Sequence, residues 1–347
     1  MDDGDITGSQ KSLFRFNFNQ LDPYFPALEI SDKGNQDVSY VNRSSSSSAR
    51  VELTRDLLRD TGYDTEEHAG IGVGWINTPV GTGDFTLWTE MRVGAGYNAN
   101  VNSDTDRKQW FLKAGTRPFT TTKNKWLQRL KFGIGWTSWS TDNRSVAAGN
   151  NKRLRLGADE RINRIAIMDT GSGTPIGGGL NYALFPGLEW GVGPYLFRVE
   201  AARSFYDNKK NGPAVLAGND IEGWAWSLQH ELFVWSPKGF LTGTANTRHA
   251  VQFGFSFARA DLDCGTGADC TPGTSTSSKG HLLQRQVDVW YYIRPGLSVG
   301  GWMNFWSTPN MPTTLQRDVG CVKPVTAATV GKDCDWYSIN LGLRANF

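Results

Sequence analysis

The sequence predicts an all-β chain, an antiparallel transmembrane β-barrel of about 12–16 strands with short periplasmic turns and long extracellular loops. Three observations predict it. The first is the closing stretch "DWYSINLGLRANF", in which Phe347, Ala345, Leu343, Leu341, Ile339 and Tyr337 alternate with Asn346, Arg344, Gly342, Asn340, Ser338 and Trp336. One face is apolar and the other almost wholly small or polar. A period of two sustained for about a dozen residues outlasts the usual ~5–6-residue strand of a globular sheet.

The second observation is composition. The 347 residues include 40 Gly and 14 Trp. Gly is costly inside soluble strands but serves turns and close strand packing. Trp suits the girdles of a membrane interface, where an amphipathic ring gains from both phases. No run approaches the ~20 apolar residues of a spanning helix. A mean hydropathy of −0.42 reads as soluble, yet a barrel hides its lipid surface in every second residue.

The third observation is the spacing of strands and loops. In chain order, alternating segments occur at "LFRFNFN", "HAGIGVGWI", "DFTLWTEMRVGAG", "QWFLKAGTR", "WLQRLKFGIGWTSW", "PYLFRVEAA", "GWAWSLQHELFVW", "AVQFGFSFA", "QVDVWYYI", "LSVGGWMNFW" and the terminal stretch. "AVQFGFSFA" sets Val251, Phe253, Phe255 and Phe257 on one face. "QVDVWYYI" does the same with Val287, Val289, Tyr291 and Ile293 but places Trp290 and Tyr292 opposite, leaving its outer face ambiguous. Short connections read at 118–125, 187–194 and 295–296, and long polar ones at 140–178, 207–219, 263–280 and 307–334. The long loops fall on alternate connections and so emerge at one rim. The linker 236–247 is of medium length on the short side.

The chain is read as a single domain, 1–347, with 1–48 irregular or incomplete. "MDDGDITGSQ" carries no signal-peptide pattern, so the expectation is a mature form or a shortened front. With 36 Lys+Arg against 34 Asp+Glu, no global basic field argues for nucleic acid. Cys264, Cys270, Cys321 and Cys334 are all expected on the long-loop side, outside every strand. Their four positions allow three pairings, of which the local one joins 264 to 270 and 321 to 334. Disulfides imply an oxidising, extracytoplasmic setting. The spacing of Cys264 and Cys270 is not that of a zinc site, so no metal and no cofactor is expected.

Taken in order, "AGIGVGWINTP", "FLKAGTRPF", "LKFGIGW", "PGLEWGVGPYLFRVEAARS", "GWAWSLQHELF", "AVQFGFSFARADLD", "VDVWYYIRPGLSVGGWMNFW" and "INLGLRANF" resemble the phosphate-selective porin (porin O/P-like) family. "PALEISDKGNQDVSYVNRS" is similar to an earlier family stretch, so the likeness covers most of residues 25–347. It implies a trimeric barrel in the outer membrane of a Gram-negative bacterium, passing anions such as phosphate through a basic lumen. It also implies that Phe347 is read by the barrel-assembly machinery. The chain departs from the family at its shortened front and in its net charge of +2, which marks no dominating basic lumen.

The candidate pore-lining or constriction residues are Arg92, Arg117, Lys152, Arg153, Arg155, Arg198 and Arg344. Residues 151–164, "NKRLRLGADERINR", lie in the longest loop, which in a porin folds inward, where rings of Arg or Lys favour anions. The bland alternative is a solvated loop contacting lipopolysaccharide. Arg92, Arg117, Arg198 and Arg344 sit on polar strand faces and are expected in the lumen. Glu90 and Glu200 lie two residues from Arg92 and Arg198, which suggests same-face ion pairs. An outer-membrane hydrolase would need His230 or His281 beside a nucleophile, and no catalytic residue is assigned. His230 reads as a lumen or interface residue. "GSGTPIGGG" lacks the Lys and strand–loop–helix setting of a phosphate loop, and "SSSSS" is low complexity. A surface barrel with disulfide-pinned loops and a plugged lumen is the rival function.

Overall fold

The structure is a computed structural model. It describes residues 13–18, 69–93, 108–140, 155–160, 163–169, 180–206, 221–235, 249–263, 279–294, 297–308 and 334–345. Its strands are β1 (Leu13–Phe18), β2 (Ala69–Val80), β3 (Gly83–Val93), β4 (Lys108–Arg117), β5 (Leu130–Ser140), β6 (Arg155–Glu160) and β7 (Asn163–Asp169). They continue with β8 (Leu180–Val192), β9 (Tyr195–Tyr206), β10 (Ile221–Trp235), β11 (Ala250–Asp263), β12 (Lys279–Arg294), β13 (Leu297–Thr308) and β14 (Cys334–Ala345).

Twelve of these form one sheet in the order β1-β2-β3-β4-β5-β8-β9-β10-β11-β12-β13-β14, and β6 and β7 pair separately. Every neighbouring pair in the large sheet is antiparallel. A meander of this kind sends alternate connections to opposite rims. The links 81–82, 193–194 and 295–296 share one rim with the chain end, while 94–107, 207–220, 264–278 and 309–333 leave from the other. The first strand rises from the short-turn rim and β14 descends to it. The two end strands of the twelve therefore run in opposite directions, the relation that closure of an even-stranded barrel requires.

Three sequence readings change. Residues 187–192 belong to β8 rather than to a short link, and the turn is confined to Gly193 and Pro194. Gly193, like Gly81 between β2 and β3, adopts positive φ (52° and 58°), which a two-residue hairpin requires and a side chain resists. Trp126–Arg129 lie in the short-rim connection, because β5 begins at Leu130. The long loop 140–178 contains the β6–β7 hairpin. The alternating segment "LFRFNFN" supplies β1, paired with β2 from Leu13↔Ile76 to Phe18↔Ile71. The stretch 26–44 and the linker 236–247 lie outside the described residues.

The sheet is apolar outside and polar inside. On β10 the residues Ala225, Ser227, Gln229, Glu231 and Phe233 are buried, whereas Trp224, Leu232 and Val234 between them are exposed. Outward Phe253, Phe255, Val287, Val289, Val299, Phe305, Ile339, Leu341 and Leu343 form one exposed band. In water such a surface would drive association; against lipid it is the favourable arrangement. Exposed aromatics edge the band on both sides. Trp110, Trp224 and Tyr337 stand toward the long-loop rim, and Trp75, Trp126, Trp235 and Tyr291 toward the short-turn rim. On β10, Trp224 and Trp235 are eleven residues apart. That is about 37 Å of extended chain, or roughly 28 Å of height at a tilt of ~40°, close to the ~25 Å band of such barrels. The ambiguous strand is settled too, since Trp290 and Tyr292 point inward.

Candidate functional site

The inner face is the candidate site, and the strand register organises it into rows. One row runs Lys131↔Glu189↔Arg198↔Gln229↔Ser256↔Gln286↔Asn304↔Ser338 across β5 to β14. Every member is polar, because each occupies the inward parity of its strand.

Arg198 is the centre of this row. Its Nε donates to Glu189 Oε2 at 2.9 Å and its Nη1 to Glu231 Oε1 at 3.2 Å. Lys131 Nζ approaches Glu189 Oε1 at 3.2 Å. Gln229 and Gln252 donate to the two oxygens of Glu231, and the Tyr292 hydroxyl donates to Gln252 Oε1 at 2.7 Å. Arg198 is 3% exposed, Glu189 0% and Glu231 1%. Two carboxylates around one guanidinium, with amides taking remaining positions, is how a buried charge is held. These hydrogen bonds are cross-strand, to Glu189 directly opposite and Glu231 on the diagonal, and the expected Glu200 adds a favourable charge interaction. Arg129, in the short-rim connection, is pushed below its ordinary pKa by burial, against the opposing pull of Glu189.

The other sequence candidates are distributed as follows. Arg117 points inward and makes a two-point ion pair with Asp84 through Nε and Nη2. Arg92 in β3, Arg155 in β6 and Arg344 in β14 are placed as strand residues, with side chains outside the described set. Lys152 and Arg153 lie outside the described residues. So do Cys264, Cys270 and Cys321, and therefore the cysteine pairing; Cys334, expected outside every strand, opens β14. His230 is not in the lumen: it alternates outward, between Phe197 and Phe255, and shares a hydrogen bond with the Tyr195 hydroxyl. His281 meets Asp261, also on the outer face, and no serine or cysteine among the described residues bonds either histidine.

Sequence reading missed the indoles. Trp290, Trp302, Trp306 and Trp336 line the inner face of β12–β14 as two near-parallel stacks. Trp290–Trp302 have centroids 6.0 Å apart and Trp306–Trp336 6.1 Å apart. The indole N–H groups of Trp290, Trp306 and Trp336 are buried and take no partner among the described residues. The available signal was parity, since all four stand at even positions with the polar set.

The β6–β7 hairpin reaches strands β11 and β12, well around the wall from where it leaves β5. On those strands the inward Ala258, Ala260, Leu282 and Gln284 are at most 3% exposed, whereas outward Arg259 is half-buried and Arg285 exposed.

An inverted meander with two aromatic girdles and a charged, hydrogen-bonded interior defines a transmembrane β-barrel of the outer-membrane class. No family model matches the chain, and no curated protein matches it. Among solved structures, it is similar to an in-vitro folded outer membrane protein, OmpT of Vibrio cholerae, at 11% identity and TM-score 0.34, over 81% of this chain and 89% of that one. Outer-membrane expressed OmpT of Vibrio cholerae aligns at 10% identity and TM-score 0.33, over 80% and 89%.

Proposed function

We propose that the protein is a porin in the outer membrane of a Gram-negative bacterium, passing small hydrophilic solutes by passive diffusion, phosphate and other anions among them. The observation that carries this reading is the β6–β7 hairpin, which lies against β11 and β12 where their inner face is covered. A segment drawn from a long loop onto the inside of the wall narrows an aqueous path, and its charges then govern what passes. Anion preference rests on that segment, "NKRLRLGADERINR". Three inward cations of the wall are paired among the described residues: Arg117 with Asp84, Lys131 with Glu189, and Arg198 with Glu189 and Glu231.

The burial of the inner row favours a second reading, a surface barrel whose lumen is filled and whose long loops do the work. Conductance in a planar bilayer separates the two. Stepwise openings with an anion-selective reversal potential under a salt gradient support the porin. Steps in triplets support a trimer, and block by phosphate supports phosphate as a solute. Folded protein that leaves the bilayer silent sinks the pore and leaves the filled barrel.

A further inference from the structure

The outer face carries a feature that a lipid-facing wall disfavours. Arg285 and Arg259 point outward from adjacent strands. Arg285 stands opposite Phe257 and Phe305, and Arg259 opposite Trp226 and Leu283. Each guanidinium lies near an aromatic ring, Arg259 5.1 Å from Trp224 and Arg285 6.0 Å from Phe257. Such ring contacts hold a flexible cation in place. Arg285 is exposed and has no hydrogen-bonded or ion-paired partner among the described residues. Asp261 takes the Nε and Nη2 edge of Arg259 at 2.8 and 2.9 Å, which leaves Nη1 open. Above them Arg203 and Glu222 form an exposed pair.

Depth decides what these donors meet. Nine residues separate Arg285 from Arg294 at the short-turn end of β12. That is about 30 Å of chain and about 23 Å of height at a tilt of ~40°, near the far edge of a ~25 Å apolar band. Directly below lie Phe255, Val287, Met303 and Ile339, outward residues suited to acyl chains. The exposed Arg285 guanidinium and the open Nη1 of the Asp261-paired Arg259, at the headgroup level and continuous with an acyl-binding face, match a phosphorylated lipid.

We infer that Arg285 and Arg259 form a docking site for the phosphate of an outer-leaflet glycolipid of the lipid A type. The site is independent of whether the lumen conducts. The test titrates bis-phosphorylated lipid A into the folded protein in neutral detergent, read by native mass spectrometry. Dephosphorylated lipid A and inorganic phosphate run alongside. The wild type binds lipid A, and the R259Q/R285Q double variant binds at least tenfold more weakly while keeping its heat-modifiable mobility on a gel. Dephosphorylated lipid A binds both proteins at that weaker level. Undiminished binding by the double variant overturns the site, as does equal binding of the dephosphorylated lipid. Full competition by millimolar inorganic phosphate reassigns the site to a free anion. Loss of an oligomer with unchanged lipid binding assigns the guanidiniums to a second copy of the chain, which also overturns it.

Discussion

Two arcs of the barrel wall share a register yet are built oppositely. The row adjacent to the Arg198 row begins Gly115↔Gly133↔Gly187, passes Glu200, Ser227, Ala258 and Gln284, and ends Trp306↔Trp336. Side-chain volume rises along one line from nothing to an indole. In the order of twelve, β4, β5 and β8 stand six places from β12, β13 and β14, so the glycine arc faces the indole arc across the barrel. Small opposite large is how a narrow barrel fills its interior without strain. The ion pairs differ along the wall in another way: the Asp84–Arg117 pair on β3 and β4 keeps 12% and 20% of its side-chain surface, while Glu189, Arg198 and Glu231 on β8, β9 and β10 keep at most 3%. The inner row is thus least filled at its glycines and most filled at its indoles, and a charge on β3–β4 stands in wetter surroundings than one on β8–β10.

The largest effect expected from this division is at Arg198. Replacing it with Ala leaves Glu189 and Glu231 facing each other without their cation, and breaking a buried pair in this way costs about 3–5 kcal/mol. Arg117→Ala, at a partly open pair, costs under about 1 kcal/mol. The urea midpoints of the two folded variants measure the contrast. Equal losses would mean that the two ion pairs stand in equally wet surroundings.

Trp306→Ala tests the other half of the comparison. Trp306 is 1% exposed and stacked on Trp336, so truncation costs about 3 kcal/mol or more. It also widens the lumen at its most filled point, so in the conducting protein single-channel conductance rises. A loss of stability with unchanged conductance would place the indole stack outside the solute path.

Much of this wall was legible from sequence because a barrel writes its inside and outside in every second letter. Val251, Phe253, Phe255 and Phe257 announce their outward face without help from neighbours, and the loop lengths announce the rims. What could not be read was anything that depends on a partner strand. Arg198 reads from sequence as a lumen cation in a same-face pair with Glu200, and only the register adds Glu189 and Glu231. His230 reads as a lumen or interface residue, and its parity with Leu228 and Leu232 puts it in the apolar band. The Trp count suggested girdles for most of the set and a core for a few, without saying which; four indoles obey the inward parity, where Gly300 and Gly342 make room for Trp290 and Trp302. Residues 187–192 looked like a turn because two glycines interrupt the pattern, and only pairing with β9 reveals the strand.

Gly300 and Gly301 allow the finest test, since they are adjacent and face opposite ways. A Cβ at Gly300 would stand 2.5 Å from Trp290 Cδ2 and 2.5 Å from the Val289 carbonyl oxygen. Backbone cannot yield at that distance, so the indole and the strand must both shift. Gly300→Ala therefore costs about 1–3 kcal/mol, the usual range for an overpacked site. At Gly301 the same atom would meet Leu341 Cδ2 at 3.0 Å, a methyl with lipid beyond it, and the Asn340 carbonyl oxygen at 3.3 Å. That leucine is 86% exposed and can rotate away. Alanine also loses less chain entropy in a strand than glycine, by roughly 0.5–1 kcal/mol. Gly301→Ala is therefore expected within about 0.5 kcal/mol of neutral once the small displacement is set against that gain. The difference between the two urea midpoints isolates the crowding of the inner arc from any general intolerance of β13. If both substitutions destabilise alike, the strand itself, and not the indole over Gly300, requires glycine.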